Sequence, residues 1–272
     1  MSLFRIKVLI LIACTLPLLL LSSCGPDLPD ADLVMQTSLG DIYIKLNDLT
    51  PKHKAQILKD VENGKYNGST FFRVVPDFVI QGGVSQTQMS DTNLTIIEHE
   101  INHDLYHFKG SVSIPRMSDE QNPLRISAPL QFFIVTGQKW TNEQLDTIEY
   151  VIENVQMKNE ADLFASKPEN QWLRNINYER LKTEMPDSLT KLNDIISNEL
   201  GKNHKAFHFS DSARKTYQML GGAPMLDAQY TVVGKVVLGM GIVEKLSKSV
   251  LREGTESPVE PVVFTLKKVS KN

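Results

Sequence analysis

"FFRVVPDFVIQGG", residues 71–83, decides how the rest of the chain is read. Thirteen positions hold three phenylalanines, a proline, two glycines and one permanent charge, Arg73. The run otherwise reads as buried strand, with Pro76-Asp77 as a turn within it. Gly82 and Gly83 mark a bend or a close backbone approach. An arginine beside phenylalanines has two readings: a cation–π or salt-bridged structural residue, or a donor facing something outside the sheet. The flanking sequence separates them.

Upstream, "MQTSLGDIYIKLN" (35–47) alternates at Ile42, Ile44 and Leu46 around a turn at 38–40, the pattern of a hairpin of half-buried strands. "TPKHKAQILKDVENGKY" (50–66) predicts a helix with Thr50 as N-cap and Pro51 as its first residue. Ala55, Leu58 and Val61 would form its apolar face, and Gly64 its C-terminal cap. Downstream, "GSVSIP" (110–115) and "QFFIVTG" (131–137) read as strands. From 138 to 219 the character changes to helix, opened by the capping-box pattern "TNEQ" at 141–144. Further helices are predicted over about 169–184 and 187–200, and from Ser210 to "LGG". Strand character returns in "QYTVVGKVVLG" (229–239), followed by a short helix, "GIVEKLSKS", and a last strand, "PVVFTLKKVS". Strands at both ends therefore bracket a helical block, which predicts one sheet or barrel with an insertion at a surface loop.

The first 23 residues have Arg5 and Lys7 ahead of an apolar run, the pattern of a secretory signal peptide. The run ends in "LLSSCG", which resembles a bacterial lipobox with Cys24 as the lipidated new N-terminus; the bland alternative is an ordinary signal peptide with an incidental cysteine. "GPDLPDAD" then reads as a tether, so that 24–32 connects a lipid anchor to the folded part. The only other cysteine, Cys14, leaves with the leader, so stability must come from packing and not from a disulfide. Cleavage removes two positive charges and takes the formal net charge from -3 to -5, which gives no reason to expect nucleic acid as a partner.

With its flanks in place, the opening stretch resembles the signature of the cyclophilin-type peptidyl-prolyl isomerases, whose usual form is F-H-R-V-x-x-x-F-x-x-Q-G-G. "TSLGDIYIKL" precedes it and "LQFFIV" and "MLDAQYTVVGKVVLGMGIVEKL" follow it in the family's order. The resemblance implies a mainly β fold: an eight-stranded antiparallel barrel over 33–137 and 220–270, capped by two helices, with 138–219 as a helical insert. It implies a groove on the outer face, with Arg73 as the catalytic residue. Phe78, Gln81, Gln131, Phe132, Phe133, Leu226 and Tyr230 would bind substrate, the phenylalanines and Leu226 around the proline ring and Gln81 along the peptide backbone. No cofactor or metal is implied. The expected partners are proline-containing, unfolded or exported polypeptides and, through the lipid, a membrane, with the chain acting as a monomer. The expected location is the periplasm-facing cell envelope, with Gly25 after Cys24 favouring the outer membrane by family analogy.

Several positions depart from the pattern. Phe72 stands where members carry histidine, Ile114-Pro115-Arg116 where they carry Met-Ala-Asn, and Pro129-Leu130 where they carry Gly-Ser. Met225 stands in place of the tryptophan of cyclosporin-sensitive members, which implies weak cyclosporin binding. These changes keep a second reading open: a cyclophilin-like module that holds proline-containing segments as a chaperone or scaffold with little turnover. Two other signals are weighed here. His99, His103 and His107 recur every fourth residue, a zinc spacing on a helix, but Asn102 and Asp104 disfavour a helix and surface histidines are expected. The insert carries no catalytic motif and is either an accessory packed on the barrel or a surface for client proteins.

Overall fold

The computed structural model describes residues 29–84, 94–201 and 204–270; the expected leader and Cys24 lie outside the described residues. Eight strands form a closed barrel: β1 (Leu33–Thr37), β2 (Gly40–Leu46), β3 (Ser69–Val75), β4 (Val79–Gly83), β5 (Ser111–Ile114), β6 (Gln131–Val135), β7 (Thr231–Leu238) and β8 (Val263–Lys268). Their order around the barrel is β1-β2-β7-β5-β6-β4-β3-β8, every pair antiparallel. Alternate residues point inward, as strand geometry requires. Met35, Ile42, Ile80 and Ile134 are wholly buried, and the rings of Phe71, Phe132 and Phe264 meet at centroid distances of 5.0–6.1 Å.

Two helices close the barrel. From α1 (Pro51–Glu62), Ile57, Leu58 and Val61 join the barrel core; from α6 (Met240–Leu246), Val243 and Leu246 do so. The N-terminus of α1 differs from the sequence reading. Thr50 makes no side-chain cap; instead the Glu100 carboxylate accepts the Lys52 and His53 backbone N–H groups at 3.0 and 2.9 Å. Ala55 is exposed, and the buried face of α1 is centred on His53, Asp60 and Val61. Two polar members put this face beyond the reach of an apolar periodicity. His53 has its own partners, Glu100 on Nδ1 at 2.7 Å and Ser127 on Nε2 at 2.8 Å.

Between β6 and β7 lie α2 (Asn142–Ser166), a 3₁₀ turn (Pro168–Asn175), α3 (Tyr178–Glu184), α4 (Pro186–Gly201) and α5 (Asp211–Met219). The capping box at Thr141 and Gln144 forms in full. The insert has its own apolar cluster of Leu145, Ile152, Phe207, Phe209, Ala213 and Tyr217, which packs on Tyr106, Phe108 and Ala228 of the barrel loops. Its two ends meet at a narrow stem, where the Gly222 N–H donates to the Gln138 carbonyl at 2.9 Å and Trp140 Nε1 to the Gly222 carbonyl at 2.9 Å. The stem has no room for side chains. A Cβ on Gly222 would sit 2.4 Å from the His107 carbonyl oxygen and 2.6 Å from Tyr217 Cε1.

Candidate active site

The register of the barrel places Arg73 opposite Gln81, and Gln81 opposite Phe133. Residues directly across a sheet share a face, so all three side chains leave the barrel together, on its outside. A bulge between Phe71 and Arg73 achieves this. Phe71 is buried and so is Val74, which in a regular strand would put them on opposite faces; the extra residue, Phe72, corrects the phase. Phe72 then stands on the groove wall, lining a cavity of about 670 Å³ with Pro115, Arg116, Pro129 and Gln131.

Next to this cavity, and sharing Gln81, Pro115 and Arg116 with it, is a cavity of about 250 Å³ lined by Arg73, Phe78, Val79, Phe133, Leu226 and Tyr230. Its apolar floor is Phe133 and Val79, both buried. Phe78 follows a turn in which Asp77 adopts a positive φ of 54°, and its carbonyl accepts the Thr136 and Gly137 N–H groups. Leu226 lies in a 3₁₀ turn (Pro224–Leu226), and Tyr230 stands just ahead of β7 with its ring 5.8 Å from Phe133 in a T-shaped contact.

The charge at the rim is held from two sides. Arg73 Nε donates to Glu256 at 2.5 Å and Nη1 to the Gln81 side-chain oxygen at 3.2 Å. Gln81 in turn donates to Gln131 at 3.1 Å, and Gln131 to the Val84 carbonyl at 3.2 Å. Nη2 has no hydrogen-bond partner among the described residues, and the Arg73 side chain is 39% exposed. A second arginine forms the opposite wall. The Arg116 guanidinium lies 4.8 Å from the Tyr230 ring centroid, donates to the Gln229 carbonyl and pairs with Asp119, which Arg125 also engages. Burial would raise the Asp119 pKa, but the hydrogen bonds and charge of Arg125, with Arg116 beside them, leave it below the ordinary carboxylate value.

Of the substrate-binding residues expected from the sequence, Phe78, Gln81, Phe133, Leu226 and Tyr230 meet around the smaller cavity with Arg73. Phe132 does not. It points into the barrel core against Tyr66, Phe71 and Phe264, because neighbours on a strand face opposite ways and Phe133 faces out. Gln131 lines the larger cavity and reaches the smaller one only through Gln81. Sequence reasoning missed Val79 and Glu256. Val79 was available from strand spacing, two residues before Gln81, whereas Glu256 lies 183 positions from its partner and gives no local signal. The histidine series separates as well: His107 is fully buried on the Asp227 carboxylate, His103 packs edge-on to Phe207, and His99 is exposed.

Comparison with known proteins agrees with this architecture. The family model described as cyclophilin type peptidyl-prolyl cis-trans isomerase/CLD matches residues 33–160, which take in β1 to β6 and much of α2. A peptidyl-prolyl cis-trans isomerase of Acinetobacter baylyi is 36% identical over 102 residues, covering 37% of this chain and 52% of that protein. The peptidyl-prolyl cis-trans isomerase cyp18 of Streptomyces antibioticus is likewise 36% identical over 102 residues, covering 37% of this chain and 58% of that protein. The chain thus spans about half the length of these curated relatives. A Staphylococcus aureus relative, 27% identical over 180 residues, aligns with 65% of this chain and 86% of its own. Among solved structures, a Cryptosporidium parvum cyclophilin type peptidyl-prolyl cis-trans isomerase, crystallised in the presence of the dipeptide Ala-Pro, superposes with a TM-score of 0.51. It is 15% identical and covers 88% of this chain and 99% of that one.

Proposed function

We propose that this chain is a cyclophilin-type peptidyl-prolyl cis-trans isomerase acting on exported polypeptides at a bacterial membrane, a reading supported by the family model over residues 33–160 and by the barrel shared with a solved structure of that type. The observation that carries the activity is the row Arg73–Gln81–Phe133 across three adjacent strands: a fixed guanidinium at the lip of an apolar pocket. Rotation about an X-Pro bond faces a barrier of about 18–20 kcal/mol, because resonance gives the C–N bond double-bond character. As the bond twists, the prolyl nitrogen pyramidalises and recovers its lone pair. A donor aimed at that nitrogen withdraws the pair from the carbonyl and favours the twisted state over the planar one. Arg73 supplies the donor, since its charge is permanent and its fork is rigid. Phe78, Val79, Phe133 and Leu226 hold the proline ring while the preceding carbonyl swings. Gln81 holds the guanidinium in place and keeps a hydrogen-bonding edge toward the substrate backbone.

The export reading rests on the leader-like residues 1–23 and on Cys24 within "LLSSCG". Uncatalysed isomerisation takes tens to hundreds of seconds and can limit folding, which gives such an enzyme work to do in that compartment. One observation favours the second reading, a binding module with little turnover: Glu256 occupies Arg73 Nε and offsets part of the charge that the reaction would use. A protease-coupled isomerase assay on an X-Pro tetrapeptide series separates the two. Turnover above the uncatalysed rate supports the enzyme, while peptide binding without turnover leaves only the module.

A further inference from the structure

Behind the proline pocket lies a buried polar cluster that the chemistry above does not use. Asp227 directly follows Leu226 and is fully buried. Its Oδ1 accepts the His107 backbone N–H and His107 Nδ1, both at 2.7 Å, and its Oδ2 accepts the Tyr217 hydroxyl at 2.5 Å. His107 is also fully buried, and its Nε2 has no partner among the described residues. The imidazole lies nearly parallel to the Phe133 ring, 15° off with centroids 6.0 Å apart, and meets Tyr230 edge-on at 6.4 Å. Among the described residues, Asp227 is therefore the one side chain that hydrogen-bonds the imidazole backing the pocket floor. Tyr217 belongs to α5, in the insert, and its ring also packs on the Gly222 stem.

We infer that the insert serves the pocket as a positioning element, with Tyr217 as its positioning residue acting through Asp227 and His107 on Phe133 and Leu226. A lone buried carboxylate is costly to keep charged and oriented unless its oxygens are engaged. The barrel fills one oxygen with His107; the insert fills the other. Burial pushes the Asp227 carboxyl above the ordinary carboxylate value despite these bonds. Without the Tyr217 hydroxyl, Asp227 keeps only its two bonds to His107, its second oxygen is left buried without that donor, and the carboxylate that anchors the imidazole behind the pocket wall is held less firmly. Arg73 is held separately by Gln81 and Glu256 and keeps its place.

This inference rests on the isomerase reading, and it predicts a particular kinetic split. The pocket grips proline in both the planar and the twisted states, so loosening it raises KM with little change in kcat. The test uses the full chain in detergent micelles, the Tyr217→Phe and Asp227→Asn variants, and an Ala-Pro-containing tetrapeptide. Both variants should raise KM by about three- to tenfold, the scale of one hydrogen bond's net worth, with kcat within about twofold. The dissociation constant of the dipeptide Ala-Pro should rise by the same factor. An unchanged KM with a lowered kcat would mean only a smaller folded fraction and would overturn the inference, as would no change in either. If Tyr217→Phe fails to fold, Asp227→Asn decides alone, since it keeps the shape of the side chain. A wild-type chain without turnover sinks the isomerase reading, and the Ala-Pro titration still decides the role of Tyr217.

Discussion

Replacing Arg73 with alanine should cut kcat/KM on an X-Pro tetrapeptide by about ten- to a thousandfold while hardly moving the melting temperature. The bounds follow from the environment of the side chain. Two unit charges 4 Å apart interact by about 1 kcal/mol in water and about 4 kcal/mol at the effective dielectric of a protein surface. The prolyl nitrogen develops only part of a charge, but the donor is preorganised by Gln81 and Glu256, and one such donor lost in a dry site costs about 100- to 1,000-fold. The Arg73 side chain is 39% exposed, and solvent screening there extends the expected range down to about tenfold. Stability responds differently. The Arg73–Glu256 pair is open to solvent on both sides, and such pairs contribute about 0–1 kcal/mol, a shift of at most about 4 °C for a chain of this size. Arg73→Lys keeps the charge without the fork and should fall between alanine and wild type. The assay is protease-coupled turnover in the cold, where the uncatalysed background takes minutes, with a melting curve on each variant. Alanine turnover within twofold of wild type, or a loss matched by an equal loss of folded protein, would refute the role given to Arg73.

The other predictions concern the neighbours of that residue and the insert. Glu256→Gln should raise turnover by about two- to fivefold, since a neutral partner no longer offsets the guanidinium; a fall in rate would show that Glu256 is needed as an orienter. Phe132→Leu should lower the melting temperature without moving KM, and Phe133→Leu should raise KM about tenfold, as measured by the same assay and by scanning calorimetry. Gly222→Ala should cost more than about 3 kcal/mol and lower the melting temperature by roughly 10 °C, because its Cβ meets the His107 carbonyl oxygen. His204 bonds Glu153 and Glu160, and the hydrogen bond to Glu153, then that to Glu160, raise its pKa above the ordinary value. The stabilisation from this raised value is fully present below the unfolded pKa of His204 and lost as pH rises through the folded one. Glu153 is held below its ordinary value, where the bonds of Phe207 N–H and His204 outweigh burial, so its contribution disappears on the acid side. Proteolysis near 204–209 should therefore quicken as pH rises past the folded pKa of His204, and His204→Ala should abolish that alkaline step.

Much of this was legible in the chain because it is local. The strands of the barrel, the capping box at Thr141 and Gln144, and the helix starting after Ser210 all follow from spacing and end residues within a few positions. The arginine-to-glutamine interval was legible too, since Arg73 and Gln81 sit on paired strands joined by a short turn. What escaped depends on phase or on distance in sequence. The bulge at Phe72 reverses the alternation that a regular strand would impose, and choosing between Phe132 and Phe133 needs the phase of β6 against its neighbours. Glu100 capping α1, Glu256 on Arg73, and Tyr217 on Asp227 are contacts between segments with no local pattern to announce them.

The closure of the barrel sets the schedule on which the protein can be made. β1 pairs on one side with β2, which follows at once, and on the other with β8, whose first residue comes 226 positions after Thr37. At a synthesis rate of 5–20 residues per second, that partner arrives roughly 11–45 s later. Throughout that interval β1 presents an unpaired backbone edge to any other extended chain nearby. The helical insert lengthens the wait while adding no strand. The nascent chain is thus most open to aggregation between the completion of its first hairpin and the emergence of its last strand, and a slower ribosome widens that window.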